Sequence, residues 1–242
     1  MSHEELIKTQ AEEFARVNKK RLARELTDMS KYVPDEIPIS VFMAGSPGAG
    51  KTEYSKNLIE ILEKNRKHKV IRIDGDEVRS RFSGYTGSNS YLFQVAISIV
   101  VDKVHDMALE HKQTFLLDGT FWNYEKAIKN INRSLDAKKG RMVLIFYVYQ
   151  KPEVAWKFTK AREVAEGRNI PKEVFIRQFL GARETIDRIR KTYDKRVSIF
   201  LVKKDFETHA VEDIIGIEPD GKQIDEYLPE RYTQNDLENL LL

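Results

Sequence analysis

Ile39-Ser40-Val41-Phe42-Met43-Ala44 runs directly into Gly45-Ser46-Pro47-Gly48-Ala49-Gly50-Lys51-Thr52, and this junction decides the fold. The first six residues are apolar or small, as in a strand buried on both faces. The next eight have the Gly-x-x-x-x-Gly-Lys-Thr spacing of a phosphate-binding loop. Behind them Tyr54, Leu58, Ile61 and Leu62 recur at helical spacing. The glycines let the backbone curl so that amide N–H groups point inward at a polyphosphate, and the new helix adds the positive end of its dipole. Lys51 is then placed to reach the β and γ phosphates, and the Thr52 hydroxyl to ligate Mg²⁺. The competing reading is a glycine-rich turn that binds nothing; every fixed position being filled, between a readable strand and a readable helix, argues against it.

Two further apolar runs end at residues that carry chemistry. Val70-Ile71-Arg72-Ile73 leads to Asp74-Gly75-Asp76-Glu77-Val78-Arg79, and Thr114-Phe115-Leu116-Leu117 to Asp118-Gly119-Thr120-Phe121-Trp122. The carboxyl ends of parallel strands line the ligand crevice, so both sets of acids are expected beside the phosphate loop. Asp118 fits an acid that holds Mg²⁺ directly, through water, or binds substrate, a plain helix cap being the alternative. Met142 to Tyr149 is apolar throughout and reads as a central strand. It is followed by a helix and by Arg162-Glu163-Val164-Ala165-Glu166-Gly167-Arg168-Asn169-Ile170-Pro171, whose proline suits the start of another helix. Val197 to Val202 gives a last strand.

About five strands alternating with helices predict an α/β fold, a parallel sheet with helices on both faces. The expected organisation is a helical extension and linker over residues 1–38, a core over 39–204 and a C-terminal extension with a short helix over 205–242. In the first part, Leu6, Phe14, Val17, Leu22, Leu26 and Met29 drift around one helix face. In the last, Ile214 to Leu228 reads as irregular or as a small hairpin around Pro219-Asp220-Gly221. Glycine-rich Phe82 to Asn89 looks like a loop able to lie over a ligand. His105 and His111 lack partners at metal-ligand spacing and read as surface or capping residues.

Composition narrows the function classes. The 242-residue chain is 41% hydrophobic and 33% charged, with a net charge of +3. That balance does not call for a nucleic-acid partner and suits a smaller anion equally well. The absence of cysteine excludes disulfides, thiolate nucleophiles and cysteine zinc sites. With no apolar segment of membrane-spanning or signal-peptide length, a cytoplasmic protein is the default expectation. A phosphate cradle, a lysine, a metal-binding hydroxyl, acids and arginines together make the parts list of phosphoryl transfer.

The ordered set resembles the zeta-toxin family of P-loop kinases, related to chloramphenicol phosphotransferase and more distantly to polynucleotide kinase. It is carried by Gly45 to Thr52, Ile73 to Arg79, Leu117 to Thr120, Tyr149-Gln150-Lys151-Pro152-Glu153, and the arginines Arg162 and Arg168 before Pro171. The resemblance implies ATP bound by Gly45, Ser46, Pro47, Gly48, Ala49, Gly50, Lys51 and Thr52, with Mg²⁺ at Thr52 and Asp118. It implies Asp76 as general base for the acceptor hydroxyl, with Lys51, Arg162 and Arg168 on the transferring phosphoryl. Asp76, Arg79, Asp118 and Thr120 would contact an acceptor such as UDP-N-acetylglucosamine, and a small antitoxin protein would be the partner, docking on the N-terminal helix if that helix does not simply brace the core. Two features depart from the family: the shorter Asp118 stands where glutamate is frequent, and Phe121-Trp122 replaces a nearby basic residue. The alternatives are a polynucleotide or other small-molecule kinase, or a nucleotide-dependent binding switch.

Overall fold

The computed structural model describes residues 2–66, 68–136, 140–205, 211–228 and 230–241. Six strands form one sheet in the order β2-β3-β1-β4-β5-β6: β1 (Ile39–Ala44), β2 (Ile71–Asp74), β3 (Phe115–Asp118), β4 (Met142–Tyr149), β5 (Ser198–Lys204) and β6 (Val211–Ile217). The first five are mutually parallel. Between them run α2 (Lys51–Arg66), α3 (Gly75–Arg79), α4 (Gln94–Glu110), α5 (Tyr124–Leu135), α6 (Pro152–Glu166) and α7 (Lys172–Tyr193). Flanking the whole are α1 (His3–Leu26) and α8 (Gln234–Leu240).

Every residue of β1 is buried, and the pleat divides its side chains between two cores. Phe42 and Ala44 join the larger core with residues of α1, α4, α5 and α7, while Val41 and Met43 pack with Tyr54 of α2. A strand sandwiched in this way must read as a continuous apolar run, as this one does.

The sheet has one strand more than the sequence pattern suggests. Val211–Ile217 pairs antiparallel with β5, Ile199 opposite Ile217 and Leu201 opposite Ile215. It is an edge strand exposed along most of its length, so its sequence mixes acids with β-branched residues and hides the pattern. The expected hairpin around Pro219-Asp220-Gly221 is instead a turn in which Gly221 N–H bonds the Glu218 carbonyl, held by Arg190 Nη1 on the carbonyls of Pro219 (2.5 Å) and Gly221 (2.8 Å).

The N-terminal helix packs on the core, and one histidine departs from its expected place. Helix α1, opened by a Ser2–Glu5 capping box, buries the small stripe Ala11, Ala15, Leu22 and Ala23 against α4, leaving Val17 75% exposed. Alanines at helical spacing let two helices approach closely, so α1 braces the core. His105 is buried, not superficial: its ring lies edge-on to Phe115 at 4.8 Å. Hydrophobic helix α4 is covered on most of its surface, which takes the histidine inside with it. His111 does terminate α4, as its C-cap. Among the described residues no helix is long and apolar enough to cross a membrane.

Candidate active site

The carboxyl ends of β1, β2 and β3 open into a cleft of about 1070 Å³, lined by Pro47 to Glu53 on one side and by the α4 and α5 residues Ile97, Val101 and Lys126 on the other. That is just above the roughly 300–1,000 Å³ usual for small-molecule sites.

The loop after β1 has the conformation its glycines permit. Gly45 (φ +135°) and Gly48 (φ +71°) lie where L side chains are strained, and a Cβ on Gly48 would sit 2.0 Å from the Ala155 carbonyl oxygen. Lys51 Nζ curls back to the Ser46 carbonyl at 2.6 Å. Burial, assisted by Arg168 and Arg162, lowers this ammonium to about 8 against the pull of Asp118 and Asp76. A buried cation under this strain favours an anion, and the curled loop provides the amides to hold one.

Asp76 stands across the cleft in the first turn of α3, whose N-cap Asp74 accepts its amide at 2.9 Å. Three arginines reach its carboxylate: Arg79, Arg168 (3.0 Å to Oδ2) and Arg162 (3.3 Å to Oδ2). Burial pushes the Asp76 carboxyl up, but Arg168, Arg79 and Arg162 together overcome it and hold it below the usual carboxylate range. Arg162 also pairs with Glu166 at 3.0 Å.

The glycine-rich loop has a different part from that expected. It packs behind the arginine segment, where a Cβ on Gly87 (φ +85°) would lie 2.2 Å from the Glu166 carbonyl oxygen. It therefore fixes the backbone between Arg162 and Arg168.

Asp118 and Thr120 line the cleft, and the Thr120 carbonyl accepts the Gly45 amide at 3.1 Å. Asp118 Oδ2 is committed to two partners, Arg72 Nη2 at 2.7 Å and Ser55 Oγ of α2 at 3.2 Å. Neither partner was expected. Arg72 also pairs with Asp74 (2.6 Å) and Glu77 (2.6 Å), so one guanidinium gathers three acids from β2, β3 and α3. The available signal was a lone arginine two residues before Asp74, hence on the same face of an otherwise apolar strand. Burial and the Asp76 charge raise Asp74 to about 6 despite Arg72.

Thr52 sits in the first turn of α2 and lines the same cleft. Among the described residues no group of three or more acidic or histidine side chains gathers as a metal site. A Mg²⁺ bound chiefly through phosphates and water needs no such group, and the Thr52 hydroxyl with the remaining Asp118 oxygen fits that use. A second lysine, also unexpected, closes the loop's far side. Buried Lys204 at the end of β5 lies against Gly50 and bonds Glu53 of α2 at 2.8 Å.

Comparison with known proteins agrees with this architecture. Residues 23–213 match the family described as Zeta toxin. Among solved structures, the chain is similar to one from the PezAT chromosomal toxin-antitoxin system of the human pathogen Streptococcus pneumoniae, at 17% identity and TM-score 0.62, over 94% of this chain and 86% of that one. It is also similar to AvrRxo1-ORF1:-ORF2 with ATP, at 16% identity and TM-score 0.56, over 87% of this chain and 65% of that one. The AvrRxo1-ORF1:AvrRxo1-ORF2 structure with sulphate ions matches at 15% identity and TM-score 0.58, over 91% and 70%. At these identities the structures establish likeness of fold. No curated protein matches the sequence.

Proposed function

The chain belongs to the zeta-toxin family, and from that premise we propose that it is an ATP-dependent kinase acting on a sugar hydroxyl of a nucleotide sugar such as UDP-N-acetylglucosamine. The observation that carries the reading is the meeting of Lys51, Asp76, Arg162 and Arg168 around one cleft at the strand ends. Loop 45–52 would hold the triphosphate with Lys51 on its β and γ phosphates, and Thr52 with Asp118 would hold a Mg²⁺ ion, which when bound would neutralise charge on the phosphates. The acceptor oxygen bonds to the γ-phosphorus while the bond to the β–γ bridging oxygen breaks, and Asp76 takes the hydroxyl proton. Arg162 and Arg168 offset the charge of the transferring group. Asp118, Thr120 and Arg79 orient the acceptor.

The three arginines make Asp76 a weak base. In a loose transition state the proton leaves late, so a carboxylate that orients the hydroxyl is more useful than a strongly basic one. The test is incubation of the purified protein with Mg-ATP and UDP-N-acetylglucosamine. A phosphorylated nucleotide sugar is expected from the wild type and none from Lys51→Ala or Asp76→Ala; failure with every nucleotide sugar tried would remove the acceptor assignment.

An antitoxin protein is the partner this reading implies, since a solved relative comes from a toxin-antitoxin system. The exposed side of α1, with Val17, is where we place it.

A further inference from the structure

We infer that Trp122 is the platform on which the ring bearing the acceptor hydroxyl lies; this rests on the nucleotide-sugar reading above and adds which side chain selects the sugar. Trp122 lines the cleft four residues beyond Asp118, in a loop fixed from two directions. On one side the Thr120 carbonyl is bonded to the Gly45 amide of the phosphate loop at 3.1 Å. On the other, Thr185 Oγ of α7 donates to the Trp122 carbonyl at 3.1 Å. Helix α7 carries a glycine where it meets the indole: a Cβ on Gly181 would stand 3.0 Å from the Trp122 carbonyl oxygen and 3.5 Å from its Cε3. Arg177, also of α7, holds its guanidinium 5.2 Å from the ring centroid.

The residue before it carries the strain of this arrangement. Phe121 has φ +60°, a conformation a bulky side chain avoids, and stacks on Phe42 of the core at 5.6 Å and 29°. Phe121 and Trp122 both border the cleft, but the Phe121 ring is engaged on Phe42, whereas the indole is held by α7. Strain, a glycine for clearance and a cation against the ring hold the indole in a fixed orientation, which is what stacking recognition needs.

Position separates a sugar from a base. Trp122 shares the cleft with Lys51, Asp76, Arg162 and Arg168, the groups assigned to the transferring phosphoryl and its acceptor, and its loop is tied through Thr120 to the first glycine of the phosphate loop. The ring that carries the attacking hydroxyl belongs there. The nucleobase, a ribose and two phosphates further on, falls along the α4–α5 wall, where Ile97, Val101 and Ala127 are apolar and Lys126 and Asn130 polar.

The chain has only two tryptophans, so Trp156→Phe leaves Trp122 as the sole tryptophan, excited selectively at wavelengths where tyrosine does not absorb. With a non-hydrolysable ATP analogue present, UDP-N-acetylglucosamine should shift or quench that emission, and UDP alone should leave it near its starting value. Separately, Trp122→Leu should raise KM for UDP-N-acetylglucosamine about ten-fold or more, the scale of one lost stacking contact, with KM for ATP within about two-fold. Trp122→Phe should recover most of that loss. Phosphoryl transfer to the nucleotide sugar with no emission change, or an equal change with UDP alone, would overturn the platform and leave the kinase reading intact. The absence of transfer to any nucleotide sugar would overturn the acceptor reading itself. The emission experiment keeps Trp122 in place, so a folding failure of Trp122→Leu does not decide the matter.

Discussion

The two sides of the cleft are built by different means. The donor side, Gly45 to Thr52, is a backbone device: its shape follows from φ values that glycine permits, and its ligands are amides and one lysine. The opposite side is assembled from side chains that the chain brings together from afar. Asp76 meets Arg162 and Arg168 across 86 and 92 residues of sequence, and Asp118 meets Arg72 across 46. A backbone device tolerates little change and performs one task. A side-chain assembly can be altered piecewise.

The largest effects are therefore expected on the donor side. Lys51→Ala should lower kcat by about 10³-fold or more, as loss of a charge on the transferring group does elsewhere. Gly48→Ala combines a positive φ with a Cβ 2.0 Å from the Ala155 carbonyl oxygen, so it should abolish nucleotide binding measured calorimetrically. Lys51 also sets a pH limit. With its ammonium lowered to about 8, the ligand-free protein loses that charge as pH rises through 8, and nucleotide affinity should weaken there. Equal affinity at pH 7 and 9.5 would break the contrast.

On the opposite side, Arg168→Ala should cost about 10²- to 10³-fold in kcat. It should also move both limbs of the pH profile. Arg168 helps hold Asp76 down and helps push Lys51 down, so its removal raises both groups and shifts both limbs to higher pH. Loss of activity with the limbs unmoved would mean that Arg168 acts only on the substrate.

The difference between the two sides also explains what the sequence discloses. The loop is contiguous, so its spacing and flanking elements identify it before any coordinates, and strands buried on both faces are legible for the same local reason. Edge strand β6 is not, because half-exposed residues carry no continuous apolar signal. Nor is the Arg72 cluster, whose acids come from three elements that only tertiary packing brings together. The glycine-rich segment at 82–89 shows the limit of composition: glycine marks an unusual backbone, but only the fold reveals that Gly87 packs against the backbone of Glu166 between the two arginines.

Arg72→Met sharpens the contrast from within the side-chain assembly. It retains the apolar stem but strands Asp74 and Asp118 in a mostly buried setting, so a loss of about 3 kcal/mol in unfolding free energy is expected from denaturant titration. The KM for nucleotide should rise, because acids no longer neutralised then face the triphosphate. Unchanged stability would mean that desolvating the guanidinium costs as much as its three ion pairs return.

The last expected effect concerns Asp74, and its sign is the informative part. Its carboxyl is raised to about 6 in the folded protein from 3.8 in the open chain. Between those values the folded state holds a proton that the unfolded state has lost, so ionised Asp74 opposes folding at neutral pH and ceases to do so as pH falls through 6 toward 4. The substitution Asp74→Asn would keep a side-chain oxygen for the Asp76 amide and so preserve the cap of α3, while removing the charge that crowds Asp76. The variant should gain on wild type as pH rises, by about 3 kcal/mol in all between pH 3.5 and pH 8, the worth of raising that carboxyl from 3.8 to about 6, read as a growing difference in Tm. In the Arg72→Met background the gap at pH 8 should widen, because Arg72 is what offsets the Asp74 charge. If Asp74→Asn instead weakened the protein equally at every pH, the bond to Arg72 would outweigh the repulsion from Asp76, and the four acids at the ends of β2 and β3 would have to be regarded as a fully compensated cluster.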